Sequence, residues 1–381
     1  MDFSFTDEQS MLRDTVASYL ADNYSFDQRR AALKAEPGWR PDVWKAFADE
    51  LGILGAAFSE EQGGLGGGYT ENMVVMEELG KSLVVEPYLQ TVVIGGGFLK
   101  HGKPAGADDL IGKVIAGEAI ISFAHAEPQG RYNWSDLKTT AKKDGAGYVL
   151  NGHKAVVIGA PYATHFIVTA RTGGNQREAQ GVSVFIVETS AKGVTTRDYP
   201  TVDGFRASEV YFENVALGAD ALVGPEGQSL PLVEQVIDEA IAATCAEACG
   251  VLRRLHEGTL EYTKQRKQFG QPISSFQVLQ HRMVDMFIQL EQSVSMTYMA
   301  TIKLNEAAED RAKAVSAAKV QIGKACKFVG QNAIQLHGGM GMTDEMAIGH
   351  YFKRATMIEG AFGSTDHHLA RYEGLSLGKV A

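Results

Sequence analysis

Between residues 119 and 225 the apolar residues of this chain recur at every second position, whereas before and after that stretch they recur at helical spacing. The runs 119–124, 148–150, 155–158, 165–170, 182–187 and 210–212 read as short strands, with turns expected at Asp144-Gly145, Asn151-Gly152 and Gly173-Gly174. No helix-period segment alternates with these runs, which argues against a doubly wound parallel sheet, and no GxGxxG follows a strand. The expected fold is therefore α+β and mostly α. It comprises an N-terminal helical domain over 1–118, a middle β domain over 119–225 and a C-terminal helical bundle over 226–381. A chain of 381 residues is long enough to bury several cores.

Local signals support the helical flanks. Thr6 and Gln9 have the spacing of a capping box, and Met11, Leu12, Val16 and Leu20 follow it at helical intervals. Pro41 opens a helix with Val43, Phe47 and Leu51 on one face and Gly52 as its stop. The glycine-rich stretch 61–68 lacks the preceding strand and GKS/T ending of a phosphate cradle, so it reads as a connecting turn. Long helical periods run over 230–265, 276–305 and 307–336. Leu290, Val294, Tyr298 and Ile302 suggest an apolar stripe, and Ala312, Ala314, Ala317 and Ala318 suggest close helix packing.

Several functions are disfavoured. A net charge of −10 argues against a nucleic-acid groove. Cys245, Cys249 and Cys326 have no metal-ligand spacing, so no metal is expected, and Cys245 and Cys249 read as small apolar residues one helical turn apart. The apolar stretch 92–99 is short and broken by three glycines, so no membrane span is expected. The acidic start MDFSFTDEQ and the few cysteines lead us to expect a cytoplasmic protein.

Three motifs carry the chemistry. In the first, Arg266, Gln268 and Phe269 leave a helix end at Gly270, and Phe276-Gln277 opens the next helix. A forked cation, side-chain amides and a helix N-terminus together suit a diphosphate. In the second, Gln335-Leu336-His337-Gly338-Gly339 offers bare backbone to a ligand. The third, Gly363-Ser364-Thr365-Asp366, is a short hydroxyl-bearing loop.

In this order and at these separations the segments resemble the acyl-CoA dehydrogenase family, across the whole chain. Leu54-Gly55 through Gly63-Gly64-Leu65-Gly66, Asn151-Gly152-His153-Lys154, Gly204-Phe205-Arg206-Ala207-Ser208 and Leu222-Val223-Gly224 are similar to further family segments. The resemblance implies FAD lying between the middle and C-terminal domains. Arg266, Gln268, Phe269, Phe276 and Gln277 would reach the FAD of a neighbouring subunit, and Gln335, Gly338 and Gly339 would meet that same cofactor. Ser364 and Thr365 would hold the FAD of their own subunit. It further implies an oligomer, an acyl-CoA substrate contacted by Asp238, and electron-transfer flavoprotein as acceptor.

The sequence departs from the family where protons move. The reaction removes a proton from the thioester α-carbon, which calls for a carboxylate base. The family's two base positions are Phe362 and Ala240 here. Glu239 is the carboxylate nearest to the second of these and stands as the candidate catalytic residue; Glu359 is a weaker one. Val156-Val157-Ile158 replaces the family's flavin-covering Trp-Ile-Thr, which makes Val156 and Val157 cofactor contacts by position, and Ala126 replaces a usual threonine. Glu86-Pro87-Tyr88-Leu89, 238–243, 350–354 and Phe362-Gly363 with 366–369 resemble the small subunit of pimeloyl-CoA dehydrogenase. That resemblance implies a dehydrogenase subunit completed by a second, base-bearing chain and acting on a dicarboxylyl- or steroid side-chain-CoA. A self-sufficient homo-oligomer, a catalytically silent structural subunit and a flavin oxidase remain as alternatives.

Overall fold

A computed structural model describes residues 4–377. Along the chain, a helical region, a β domain and a second helical region follow one another as expected. The N-terminal helices are α1 (Asp7–Asn23), α2 (Phe26–Lys34), α3 (Pro41–Asp49), α4 (Tyr69–Ser82), α5 (Gly96–Gly102, entered through a π-helical turn at Leu89–Gly95) and α6 (Ala107–Ile115). The strands are β1 (Ile121–Ala124), β2 (Thr140–Asp144), β3 (Gly147–Ile158), β4 (His165–Arg171), β5 (Val182–Glu188), β6 (Val194–Pro200), β7 (Arg206–Leu217) and β8 (Leu222–Val223). Then come α7 (Leu230–Gln265), a small hairpin of β9 (Lys267–Gln268) and β10 (Gln271–Pro272), α8 (Gln277–Lys303), α9 (Ala308–His337), α10 (Ala347–Gly360) and α11 (Thr365–Ser376). The capping box forms: Thr6 Oγ1 accepts from Gln9 N at 3.2 Å, and Gln9 Oε1 accepts from Thr6 N at 3.1 Å.

The chain gathers into two compact units, one of Glu36–Gly68 with Val85–Ala240 and one of Met1–Ala35, Tyr69–Val84 and Ile241–Ala381. The first contains the sheet, in the order β6-β7-β3-β2-β4-β5-β8, with β1 added parallel to β4. Its core is built on Leu150, Phe166, Phe185, Val210 and Phe212. Asn151-Gly152 is not a turn. β3 runs through it as one 12-residue strand with a register shift against β7, and Asn151 Oδ1 accepts from Asn214 N at 2.8 Å. Asn-Gly favours a turn locally, but tertiary pairing overrides that preference. Strands β2 and β6 are absent from the sequence reading because most of their side chains are polar and exposed: β2 buries only Ala141, and β6 buries none of its residues.

In the second unit α9 packs against α8, α10 and α11. Glycines at positions 80 and 250 let α4 and α7 cross in backbone contact; a Cβ on Gly250 would lie 2.1 Å from Glu77 O, and one on Gly80 would lie 2.2 Å from Glu247 O. The stripe expected on α8 drifts. Leu290 is buried, but Ile302 is 44% exposed, and the buried face is Met283, Met286, Leu290, Ser293, Thr297, Ala300 and Thr301. Strict spacing of four overshoots the helical repeat by about 40° per step, so three steps carry the last residue off the face. Cys245, Cys249 and Cys326 are free and buried, and burial pushes the Cys245 and Cys326 thiols up to about 12.

Candidate functional site

In the sheet unit the expected flavin-covering residues sit on a β-bulge. The register of β3 against β7 slips between Lys154 and Val157. There Val156 adopts φ 52° and is 49% exposed, while Val157 points into the core. A β-branched residue at positive φ is strained, and such outliers and bulges concentrate at functional sites. Ala155 N donates to Ala126 O at 2.8 Å, which ties the bulge to the chain leaving β1.

Beneath the bulge lies a polar network that the sequence reading did not single out. Lys154 is fully buried, and its Nζ donates to Glu127 Oε1 at 2.8 Å, His125 O at 3.1 Å and Thr169 Oγ1 at 3.3 Å. Burial alone would raise the Glu127 pKa. The Lys154 charge and donors from Lys154, Gln129 and the Lys138 backbone outweigh it and hold the carboxyl at about 2. Burial draws Lys154 down to about 8 against the opposing pull of Glu127. Since the Thr169 hydroxyl accepts from Lys154, its own proton goes to His125 Nδ1, 2.9 Å away. Burial first, then the Lys154 charge, lower His125 to about 3, so the ring is neutral with its proton on Nε2. The available signal was a carboxylate at Glu127, next to Ala126, and a lysine at Lys154 in the 151–154 segment, but their pairing is a long-range contact.

The start of α7 carries Asp238, Glu239 and Ala240, all buried. The Glu239 carboxylate turns toward α5: Oε1 lies 2.7 Å from His101 Nε2, and Oε2 would lie 3.2 Å from a Cβ on Gly97. Burial lowers the pKa of nearby Lys100, and the Glu239 charge partly offsets this.

In the helical unit Arg266, Gln268 and Phe269 follow α7 into the β9–β10 hairpin. Gln268 pairs with Gln271, and Phe269 (φ 54°) and Gly270 (φ 80°) form the two-residue turn. Positive φ at both positions is the pattern of a type I′ turn, unusual for a phenylalanine. Phe269 is 91% exposed, its ring edge-on to Phe276 with centroids 6.1 Å apart. Phe276 caps α8, and Gln277 is its exposed first residue. The structure brings the C-terminus of α9 beside the end of α7: Tyr262 stacks on His337 at 4.2 Å. Gln335, Gly338 and Gly339 are exposed there. Gly338 takes φ 59° and ψ −141°, a conformation reserved for glycine, and a Cβ on either glycine would meet only open space.

The third motif caps a helix. Ser364 is the N-cap of α11, its Oγ accepting from His367 N at 3.4 Å. Thr365 donates from its backbone N and its hydroxyl to Glu359 Oε1, both at 2.9 Å. Phe362 is partly buried at φ 56°. Among the described residues no group of three or more side chains is arranged to hold a metal ion, and no helix is long and apolar enough to cross a membrane.

Three domain models of one family tile this chain: acyl-CoA dehydrogenase N-terminal domain over residues 6–118, middle domain over 122–215 and C-terminal domain over 230–372. A probable acyl-CoA dehydrogenase, YngJ, of Bacillus subtilis is 30% identical over 376 residues, 96% of this chain and 97% of its own. Among solved structures, the ChsE4-ChsE5 complex from Mycobacterium tuberculosis matches with a TM-score of 0.89 and 26% identity, covering all of both chains. An FAD complex of PigA matches with a TM-score of 0.90 and 26% identity over 99% of each chain. The chain belongs to the acyl-CoA dehydrogenase family.

Proposed function

We propose that this chain is an FAD-binding subunit for α,β-dehydrogenation of an acyl-CoA thioester, and that a second, base-bearing subunit completes its active site. One observation carries the dependence on a partner. Phe362 and Ala240 leave both base positions without an ionisable group, and the nearest carboxylate, Glu239, lies against His101. On this reading the small-subunit resemblance extends to function, and the likeness to the ChsE4-ChsE5 complex supports a heteromeric assembly.

The displayed residues fit a flavin dinucleotide. The strained, exposed Val156 offers an apolar surface where the family places an aromatic cover, over a network that adds no net charge. The exposed Arg266, Gln268 and Gln277 offer donors to a diphosphate, Phe269 offers a ring face, and the open backbone at Gly338 and Gly339 allows close approach. A flavin held by these residues would supply the hydride acceptor for the substrate Cβ. The chain's own part is to hold and orient: Ser364 and Thr365 fix a helix N-terminus that favours negative charge, and Asp238 contacts the substrate from the start of α7. On this reading the α-proton would pass to the partner's carboxylate, and electron-transfer flavoprotein would serve as the electron acceptor.

A silent structural subunit is the second reading, favoured by Val156 in place of an aromatic cover. One experiment separates the two. The chain is expressed alone and with a base-bearing acyl-CoA dehydrogenase-like subunit, and dye reduction is assayed with dicarboxylyl- and steroid side-chain-CoAs. The expected result is bound FAD, little turnover alone, and turnover with the partner that is lost when the partner's glutamate becomes glutamine. Vigorous turnover by the isolated chain overturns the partner dependence. A reconstituted, active pair in which this chain carries no FAD favours the silent reading.

A further inference from the structure

Lys319 lies on the buried face of α9 among Val315, Ala318, Ile322 and Cys326, with no exposed surface. Its Nζ donates three hydrogen bonds, all to backbone carbonyls: Ile358 O at 2.9 Å, Glu359 O at 2.8 Å and Gly363 O at 2.9 Å. The first two are in the last turn of α10, where Ile358 O also accepts from Ala361 N at 3.2 Å and a cation is favoured. The third is beyond the helix, on the far side of Phe362. One ammonium therefore spans the bend at Phe362.

That bend is strained. Phe362 takes φ 56° and Gly363 φ 129°. A non-glycine residue in such a conformation is strained and persists only where its surroundings over-determine it. Two further side chains fasten the same turn. His368 Nε2 lies 3.2 Å from Phe362 O, and burial, then the charge of Lys319, lowers its pKa to about 3, so the neutral ring donates there. Glu359 Oε1 accepts both donors of Thr365. Of the three clamps, Lys319 alone joins the end of α10 to the loop through backbone atoms at both ends.

We propose that Lys319 is the positioning residue of the 358–365 turn: it holds the strained backbone at Phe362, and with it sets the placement of Ser364 and Thr365. The inference rests on the proposed function in assigning Ser364 and Thr365 to FAD. A lysine needed only to fill the bundle core would affect α8 and α9 as much as the turn.

The test is Lys319→Met, which keeps the length of the stem and removes the three donors. Amide hydrogen exchange is followed over the whole chain, and FAD affinity is measured by flavin fluorescence. The expected result is exchange at least tenfold faster at 361–368, with α8 unchanged and FAD bound at least tenfold more weakly. Phe362→Gly removes the left-handed penalty, so adding it should recover part of the FAD affinity lost in Lys319→Met. Unchanged exchange at the turn overturns the proposal. So does global unfolding of Lys319→Met that Phe362→Gly fails to repair, since that outcome assigns the lysine to the core. A wild-type chain that binds no FAD would sink the functional reading, while the exchange comparison would still decide the role of Lys319.

Discussion

The Glu239 carboxylate and the His101 imidazole lie 2.7 Å apart, with Glu239 3% exposed and His101 26% exposed at their side chains. This contact makes Glu239 part of the α5–α7 packing within the sheet unit. Replacing His101 with alanine leaves a buried carboxylate without this partner, and we expect a loss of about 1–3 kcal/mol in denaturant unfolding. Glu239→Gln in the reconstituted enzyme should change turnover by less than about threefold, far below the 100-fold or greater loss of a general base. A larger loss would install Glu239 as the base.

Phe362→Glu tests the base position directly. The turn is built and clamped, and on the proposed reading it lacks only an ionisable group. The isolated chain should gain dye-linked activity by about 100- to 10,000-fold, the usual worth of a positioned base. No gain, with FAD retained, would mean that the partner supplies more than a carboxylate.

If the hairpin is a cofactor element, Arg266→Ala removes a charge-assisted diphosphate contact worth about 1.5–3 kcal/mol. FAD should dissociate at concentrations roughly 10- to 150-fold higher, read by flavin fluorescence. Unchanged affinity would count against the hairpin as a cofactor element.

Acid should destabilise the sheet unit in two stages. The His125 pKa is lowered to about 3 in the folded chain, from about 6.5 unfolded. Its contribution is complete above about pH 6.5 and is lost as pH falls toward 3. Glu127 is held at about 2, against about 4.3 unfolded, so its contribution is lost between about pH 4.3 and 2. Unfolding midpoints measured from pH 7 to 3 should decline from about pH 6.5, and His125→Gln should make the decline between about pH 6.5 and 4.3 shallower without abolishing it, because the His165 and His368 pKa values are also lowered. Lys154→Met should cost about 3–5 kcal/mol at pH 7, because it leaves the buried Glu127 carboxylate without its countercharge.

Assembly is also open to test. α8 exposes Val284, Phe287 and Ile288 at helical spacing, and Val278 nearer its start. If the helical unit forms a permanent subunit contact of more than about 1,000 Å², sedimentation should show an oligomer that Phe287→Arg weakens. A stable wild-type monomer with bound FAD would contradict the shared cofactor site.

The fold was legible in the chain because its signals are local and repeated. The change of hydrophobic period marked the β domain, and a run ending at Gln265 marked α7 to the residue. The capping box at Thr6 depends only on neighbours, so it could be read from four letters. Polar strands such as β6 could not, because pairing to β7, not side-chain pattern, makes them strands. Asn151-Gly152 misled for the same reason.

The sequence by itself determined the family, through motifs whose order survives without knowledge of their neighbours, and it put Phe362 and Ala240 where the resemblance implies a base. Only the tertiary structure decided what the ionisable groups do. Glu239 and His101 are 138 residues apart, and Lys319 meets Gly363 across 44. Such pairs are set by packing, which brings together residues that no periodicity relates. The strain at Val156, Phe269 and Phe362 is likewise invisible in the letters, since each of those residues is ordinary until its neighbours force φ positive.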